Sequence, residues 1–133
     1  MSDKFRRVDD GFWVSPQIGP EDVETARALG VLVIVNNRPD GEAPDQVPGE
    51  TIRAAAEAAG LAYVAAPVAG GPTDSAIEAM GAALATGPVL AFCRSGTRSI
   101  LVWAISQIVS GAREREDVLA LARNAGYDLS RWI

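Results

Sequence analysis

The chain has no histidine and only one cysteine, Cys93, among its 133 residues. With no second thiol it cannot form an internal disulfide or a thioredoxin-type pair, and with no histidine it cannot build a Cys/His zinc site. Long hydrophobic runs are also missing. Runs such as residues 31–35 and 100–105 are far too short to span a bilayer, and the opening "MSDKFRRVDD" lacks the apolar segment of a secretory signal. No membrane partner is expected, and a cytoplasmic location follows by default. Basic residues are in deficit, 12 Lys and Arg against 17 Asp and Glu, for a net charge of −5. That balance argues against nucleic acid as a partner but leaves room for a local cationic pocket.

What remains is a soluble, globular composition, with 48% hydrophobic and 22% charged residues. The length suits one core, so residues 1–133 read as a single domain without repeats or linkers. Strand and helix signals alternate along it. "FWVSPQI" (12–18) reads as a strand, and "GPEDVETARALG" (19–30) as a helix with Pro20 and acids at its start and Gly30 at its end. "VLVIV" (31–35) is a strand buried on both faces, and residues 36–49 form a loop. A helix over 50–59, stopped by Gly60, leads to a strand over 61–68. The Ser75 and Glu78 spacing predicts a capping box opening a helix that runs to about Ala85. "PVLAF" (88–92) is a further buried strand, and an apolar helix runs from Thr97 or Arg98 to Ser110. The last helix carries Val118, Leu121, Ala122 and Ala125 on one face. This order predicts an α/β fold with a mainly parallel central sheet of four to five strands flanked by helices. Sites in such sheets lie at the carboxyl ends of strands.

Cys93 stands at such an end, and a helix starts within about five residues of it. Gly96 permits the sharp turn between them. Backbone N–H groups from Arg94 to Ser99 then converge near the sulfur, reinforced by the helix N-terminus. Such surroundings favour the thiolate, the nucleophilic form. Arg98 is positioned to clamp an oxyanion through two parallel hydrogen bonds, and Ser95, Thr97 and Ser99 add hydroxyl donors. A lone cysteine at a strand end is more often a small core residue. The pattern C-x-x-G-x-R-S between a buried strand and a helix turns the balance toward a nucleophile.

"CRSGTRS" (93–99) resembles the active-site loop of rhodanese sulfurtransferases and, more loosely, the loop of protein tyrosine and dual-specificity phosphatases. Taken in order, "VNNRPDGEAP" (35–44), "GLAYVAAPV" (60–68) and "CRSGTRS" resemble the beta-lactamase hydrolase-like family, whose small phosphatase-like domain is also described as a sulfurtransferase. The resemblance covers nearly all of the chain. It implies a protein tyrosine phosphatase-like fold with Cys93 as nucleophile and Arg98 as anion clamp. Three departures bear on the chemistry. Four residues, not five, separate Cys93 from Arg98, as in rhodaneses of this loop type. Phe92 stands where tyrosine phosphatases carry a histidine, and Ala69-Gly70 where dual-specificity phosphatases place their acid.

Phosphoester hydrolysis needs a carboxylic acid to protonate the leaving alkoxide, whereas sulfite leaves thiosulfate as a stable anion. The sequence therefore favours sulfur transfer through a Cys93 persulfide, with Arg94 and Arg98 binding the donor and a thiol or cyanide accepting the sulfur. The alternative is a phosphatase with a phosphocysteine intermediate, and the third reading is a non-catalytic module that binds a phosphorylated or sulfonated ligand. Either covalent route takes a small sulfur-containing or phosphorylated anionic substrate, with no metal and no organic cofactor. Two residues are candidate acids for the phosphatase route. Asp40 lies in a loop that approaches the Cys93 edge, though Pro39-Asp40-Gly41 is also strong turn chemistry. Asp74 opens a helix, where a carboxylate is favourable on dipole grounds alone. Arg38 either charges the pocket or solvates its loop. Trp103 and Ile105 are expected to pack beneath the cysteine loop, and "YDLSRWI" to pack on the domain or meet a partner.

Overall fold

The computed structural model describes residues 4–133. Its sheet contains β1 (Arg6–Asp9), β2 (Phe12–Ser15), β3 (Val33–Asn36), β4 (Ala62–Ala65) and β5 (Val89–Phe92), in the order β1-β2-β5-β3-β4. Only the β1–β2 pair is antiparallel. The helices are α1 (Pro20–Ala28), α2 (Gly49–Ala58), α3 (Asp74–Thr86), α4 (Thr97–Val109) and α5 (Arg115–Asn124). The architecture is the α/β fold with a mainly parallel sheet that the alternation predicts.

Side chains alternate across a strand, so a sheet covered on both faces needs apolar residues at successive positions. Val33, Val35, Val89 and Ala91 pack into one core with Met80 of α3, Trp103 of α4 and Val118 of α5. Ile34, Leu90 and Phe92 pack into the other with Val23 and Ala26 of α1 and Ile52 and Ala56 of α2. Strand β5 is the middle of this sandwich. Its register sets Phe92 between Ser15 of β2 and Asn36 of β3. The chain therefore leaves β5 at the centre of the carboxyl edge, with the loops after β2 and β3 on either side.

Several boundaries differ from the sequence expectation. Strand β1 is absent from that expectation, because Arg6 and Arg7 are exposed and Val8 alone of β1's side chains is buried. It is an edge strand, where charge is tolerated because nothing pairs beyond it. The strand expected over 12–18 ends at Ser15, since Pro16 has no N–H for the ladder, although Ile18 still reaches the core. The strand expected over 61–68 is shorter, Ala62–Ala65, and lies at the other sheet edge. The Ser75–Glu78 capping box does not open α3. Thr73 does, its Oγ1 accepting the Ala76 N–H at 3.1 Å. In α5, the expected Val118 and Ala122 are buried with Ala125 at its end, Leu121 is half-buried against the same core, and Leu119 is buried as well.

Trp103 also sits elsewhere than expected. It stacks on Phe12 with ring centroids 5.3 Å apart and planes 5° from parallel. Phe12 opens β2, so the pair fills the core at the amino end of the strands, away from the cysteine loop. Among the described residues no helix is long and apolar enough to cross a membrane.

Candidate active site

Cys93 is fully buried at the end of β5. The backbone N–H of Gly96 donates to its Sγ at 3.1 Å. Two tethers set the direction of that amide. The Arg94 carbonyl accepts the Gln17 N–H at 3.3 Å, and the Ser95 carbonyl accepts the Tyr127 hydroxyl at 2.9 Å. In a trans peptide the carbonyl and the following N–H point opposite ways. Holding both oxygens outward therefore turns the Ser95 and Gly96 N–H groups the other way, and that of Gly96 meets the sulfur. Gly96 has φ +96°, and a Cβ there would collide with the Tyr127 hydroxyl and lie 3.3 Å from Val14 Cγ2. No other residue type fits this position without strain. The next residue opens α4, so the positive end of a 13-residue helix adjoins the loop.

Arg98 closes the ring in the first turn of α4. Its Nη1 donates to Glu42 Oε2 and to the Val68 carbonyl, each at 2.7 Å, and its Nη2 donates to Glu42 Oε1 at 2.8 Å. Arg38, nearly buried, donates through Nε to the same Glu42 Oε1 at 3.1 Å and through Nη1 to Gln17 Oε1 at 3.0 Å. Glu42 thus bridges the two arginines. Hydrogen bonds from Arg98 first, and from Arg38 after the opposing cost of burial, hold its carboxyl down to about 2. Arg98 in turn keeps its proton more tightly than a free arginine, chiefly through Glu42, with the negative charge of Cys93 adding to the effect. Burial, and then the charge of Cys93, push the Tyr127 hydroxyl upward.

The other predicted residues divide. Ser95 Oγ donates to Thr97 Oγ1 at 3.1 Å, so these hydroxyls engage each other at the exposed rim. Arg94 is exposed. Ser99 is buried with its hydroxyl unpartnered among the described residues, a spare donor in the first turn of α4. Arg38 reaches the ring through Glu42 and through Gln17, whose N–H holds the Arg94 carbonyl. Neither candidate acid is brought to the sulfur. Asp40 Oδ1 accepts the Gly49 N–H at 2.8 Å at the start of α2 and lines a separate cleft with Tyr63 and Arg53. Asp74 is exposed in the first turn of α3, just after the Thr73 cap, where the helix dipole favours a carboxylate.

Sequence reasoning missed Glu42, Gln17 and Tyr127. Glu42 follows Arg38 by four residues, across Gly41 at φ +78°, and that spacing was the available signal. Tyr127 lies in the C-terminal stretch, which packs on the domain: Leu129 is buried in the core.

The sequence pattern of the family described as "Beta-lactamase hydrolase-like protein, phosphatase-like domain" matches residues 4–110. A beta-lactamase hydrolase-like protein of Xylella fastidiosa is 38% identical over 133 residues, 98% of this chain and 31% of that protein. The chain thus spans about a third of the length of the curated relatives it matches. A Neisseria meningitidis protein, described with its crystal structure as a candidate phosphatase, superposes with a TM-score of 0.83 at 29% identity, over 98% of this chain and 94% of that one. TpbA of P. aeruginosa, a variant of which was solved in complex with pTyr, shares the fold with a TM-score of 0.66 at 20% identity, over 95% of this chain and 76% of that one. These likenesses favour the phosphatase-like reading of the loop over sulfur transfer, for which they offer no support.

Proposed function

Because the chain belongs to the family of phosphatase-like domains found in beta-lactamase hydrolase-like proteins, we propose that it is a cysteine-based phosphatase-like enzyme with Cys93 as nucleophile. The observation that carries this reading is the Gly96 N–H on Cys93 Sγ at 3.1 Å, at the mouth of a helix N-terminus and beside Arg98. A phosphate oxygen accepts from the ring amides and from the Arg98 donors that Glu42 and Val68 leave unused. The thiolate attacks phosphorus; the S–P bond forms as the bond to the leaving oxygen breaks, and that oxygen keeps the electron pair. Water then attacks the phosphocysteine, releasing inorganic phosphate and restoring the thiolate. The pTyr bound by TpbA supports an aryl phosphate as the substrate class. A buried free thiol also suits a reducing compartment such as the cytoplasm.

One observation favours a second reading. The ring closes at the fifth residue after Cys93, and the carboxylate that Arg98 holds, Glu42, is kept ionised by two arginines. Sulfur transfer needs no proton donor: the thiolate attacks the outer sulfur of a thiosulfate-type donor, the S–S bond breaks, and sulfite departs with the electron pair. A thiol or cyanide then takes the persulfide sulfur.

Intact mass spectrometry separates the two. The purified protein is exposed to an aryl phosphate and, separately, to thiosulfate. Turnover of the phosphate with a trapped phosphoryl adduct, both lost in Cys93→Ser, is the expected result. Gain of a single sulfur atom with no phosphate turnover establishes sulfur transfer instead.

A further inference from the structure

A second concavity adjoins the ring. Val68, Pro72, Leu101 and Trp132 form its apolar walls, and Thr97 and Arg98 form the side it shares with the ring. The Arg98 guanidinium stands at this boundary, its Nη1 bonded to the carbonyl of Val68 at 2.7 Å. A charged head and an apolar wall therefore meet within one side chain's reach. The chamber measures about 200 Å³, below the roughly 300–1,000 Å³ that holds drug-sized ligands. It suits one aromatic ring or a short branched alkyl group.

Trp132 is the outer wall. It is 60% exposed, while Trp103 is fully buried in the core. The backbone beneath it is fixed, since the Trp132 N–H donates to the Leu129 carbonyl at 2.9 Å and Leu129 is a core residue. A large aromatic face held in the open beside a cationic anion clamp has the form of a recognition platform. Residue 132 also lies beyond the 4–110 span of the family pattern, so the wall comes from the chain's own C-terminal stretch.

We infer that this chamber receives the apolar substituent of the anion held by the ring. The substrate is then a compact organic oxyanion, an anionic head bearing one aryl or short alkyl group, in preference to a bare inorganic ion. Trp132 sets that preference. The inference rests on the ring's being an oxyanion site, and it holds for either head group, a phosphate ester or a thiosulfonate.

The test uses full-length Cys93→Ser protein, so that binding is read without reaction, and calorimetric titration with methylphosphonate and phenylphosphonate. These probes share a head and differ in the apolar group. Phenylphosphonate is expected to bind about tenfold more tightly. Trp132→Ala removes that advantage while leaving methylphosphonate unchanged, and Trp132→Phe keeps most of it; the exposure of the side chain lets all the variants fold. Equal affinity for the two probes, or a preference that survives Trp132→Ala, overturns the chamber while the ring reading stands. Binding of neither probe overturns the oxyanion ring itself, and the chamber with it. With Cys93 intact, the kcat/KM ratios of benzenethiosulfonate to thiosulfate and of phenyl phosphate to methyl phosphate should fall in Trp132→Ala, a comparison in which the difference between leaving groups cancels. An unchanged ratio in a pair that turns over also refutes the inference.

Discussion

Glu42 and Arg98 lie 56 positions apart in the chain and meet through two parallel hydrogen bonds, Nη1 to Oε2 at 2.7 Å and Nη2 to Oε1 at 2.8 Å. A guanidinium has five donors. Glu42 and the Val68 carbonyl take three of them, leaving Nε–H and one Nη2–H, which form the adjacent edge of the fork. That free edge matches the bidentate geometry of an oxyanion. Glu42 is therefore a positioning residue: it holds the arginine from behind and leaves its working edge open. Glu42→Ala is expected to lower kcat/KM about 10–100-fold, since displacement of a catalytic group by about 1 Å costs on that order. Glu42→Gln, which keeps one acceptor oxygen, loses less. Steady-state kinetics on an aryl phosphate or a thiosulfonate decide it, and unchanged activity in Glu42→Ala would show that Arg98 needs no such support.

The same pair predicts an acid-stability profile. Glu42 titrates at about 2 in the folded chain and near the ordinary value of about 4.3 when unfolded. A depressed carboxylate contributes stability that is fully present above the unfolded value and is lost as pH falls through the folded one. The unfolding free energy should therefore decline between about pH 4.3 and about pH 2, and Glu42→Gln should flatten part of that slope. Urea unfolding at several pH values measures it. Parallel slopes for the two proteins would mean the pair is not maintained in solution.

An ionised Glu42 cannot protonate a leaving group, and neither Asp40 nor Asp74 is brought to the sulfur. General acids contribute about 10²–10⁴-fold to such steps. Phosphate turnover should thus fall steeply as the leaving alcohol becomes less acidic, from a nitrophenyl to a phenyl to an alkyl ester. A shallow dependence, abolished by Asp40→Asn or Asp74→Asn, would reveal an acid that moves in when substrate binds.

What could be read from the sequence was local. The run "PVLAF" must be covered on both faces, and "CRSGTRS" after it sets a cysteine, a turn glycine and an arginine within seven residues, so the ring and its place at a strand end were legible. Asp40 reads more readily as a turn residue than as an acid, and its carboxylate accepts the Gly49 N–H at the start of α2. The relations that complete the ring are long-range. Glu42 to Arg98 and Tyr127 to Ser95 are pairings of loops that converge only because β5 sits between β2 and β3. No periodicity in the chain encodes which loops meet. Strand β1 was hidden for a different reason: as an edge it carries arginines, and its one clear signal was the Asp10-Gly11 turn before β2.

The Phe12–Trp103 stack at the far end of the sheet separates stability from activity. Trp103→Ala removes a fully buried side chain and should cost about 3–5 kcal/mol in urea unfolding. Because the stack lies at the amino end of the strands, kcat at a temperature where the variant stays folded should match the parent. A selective loss of kcat would place Trp103 in contact with the ring after all.

Gly96 and Tyr127 make the sharpest coupling prediction. Gly96→Ala forces a side chain into φ +96° and against the Tyr127 hydroxyl, at a cost of about 1–2 kcal/mol for the left-handed backbone before the collision is counted. If the loop yields to relieve it, the Gly96 N–H leaves Cys93 and the covalent adduct no longer forms. Tyr127→Phe alone removes the tether on the Ser95 carbonyl and should cost about 1 kcal/mol, with activity several-fold lower. Together the changes should be milder than their sum, because Tyr127→Phe deletes the hydroxyl oxygen that the new Cβ strikes. A double-mutant cycle on unfolding free energy should give an interaction of about 0.5–3 kcal/mol in the favourable direction. Simple additivity would mean that the loop escapes the clash by moving away from Tyr127, and that the tether does not fix its shape.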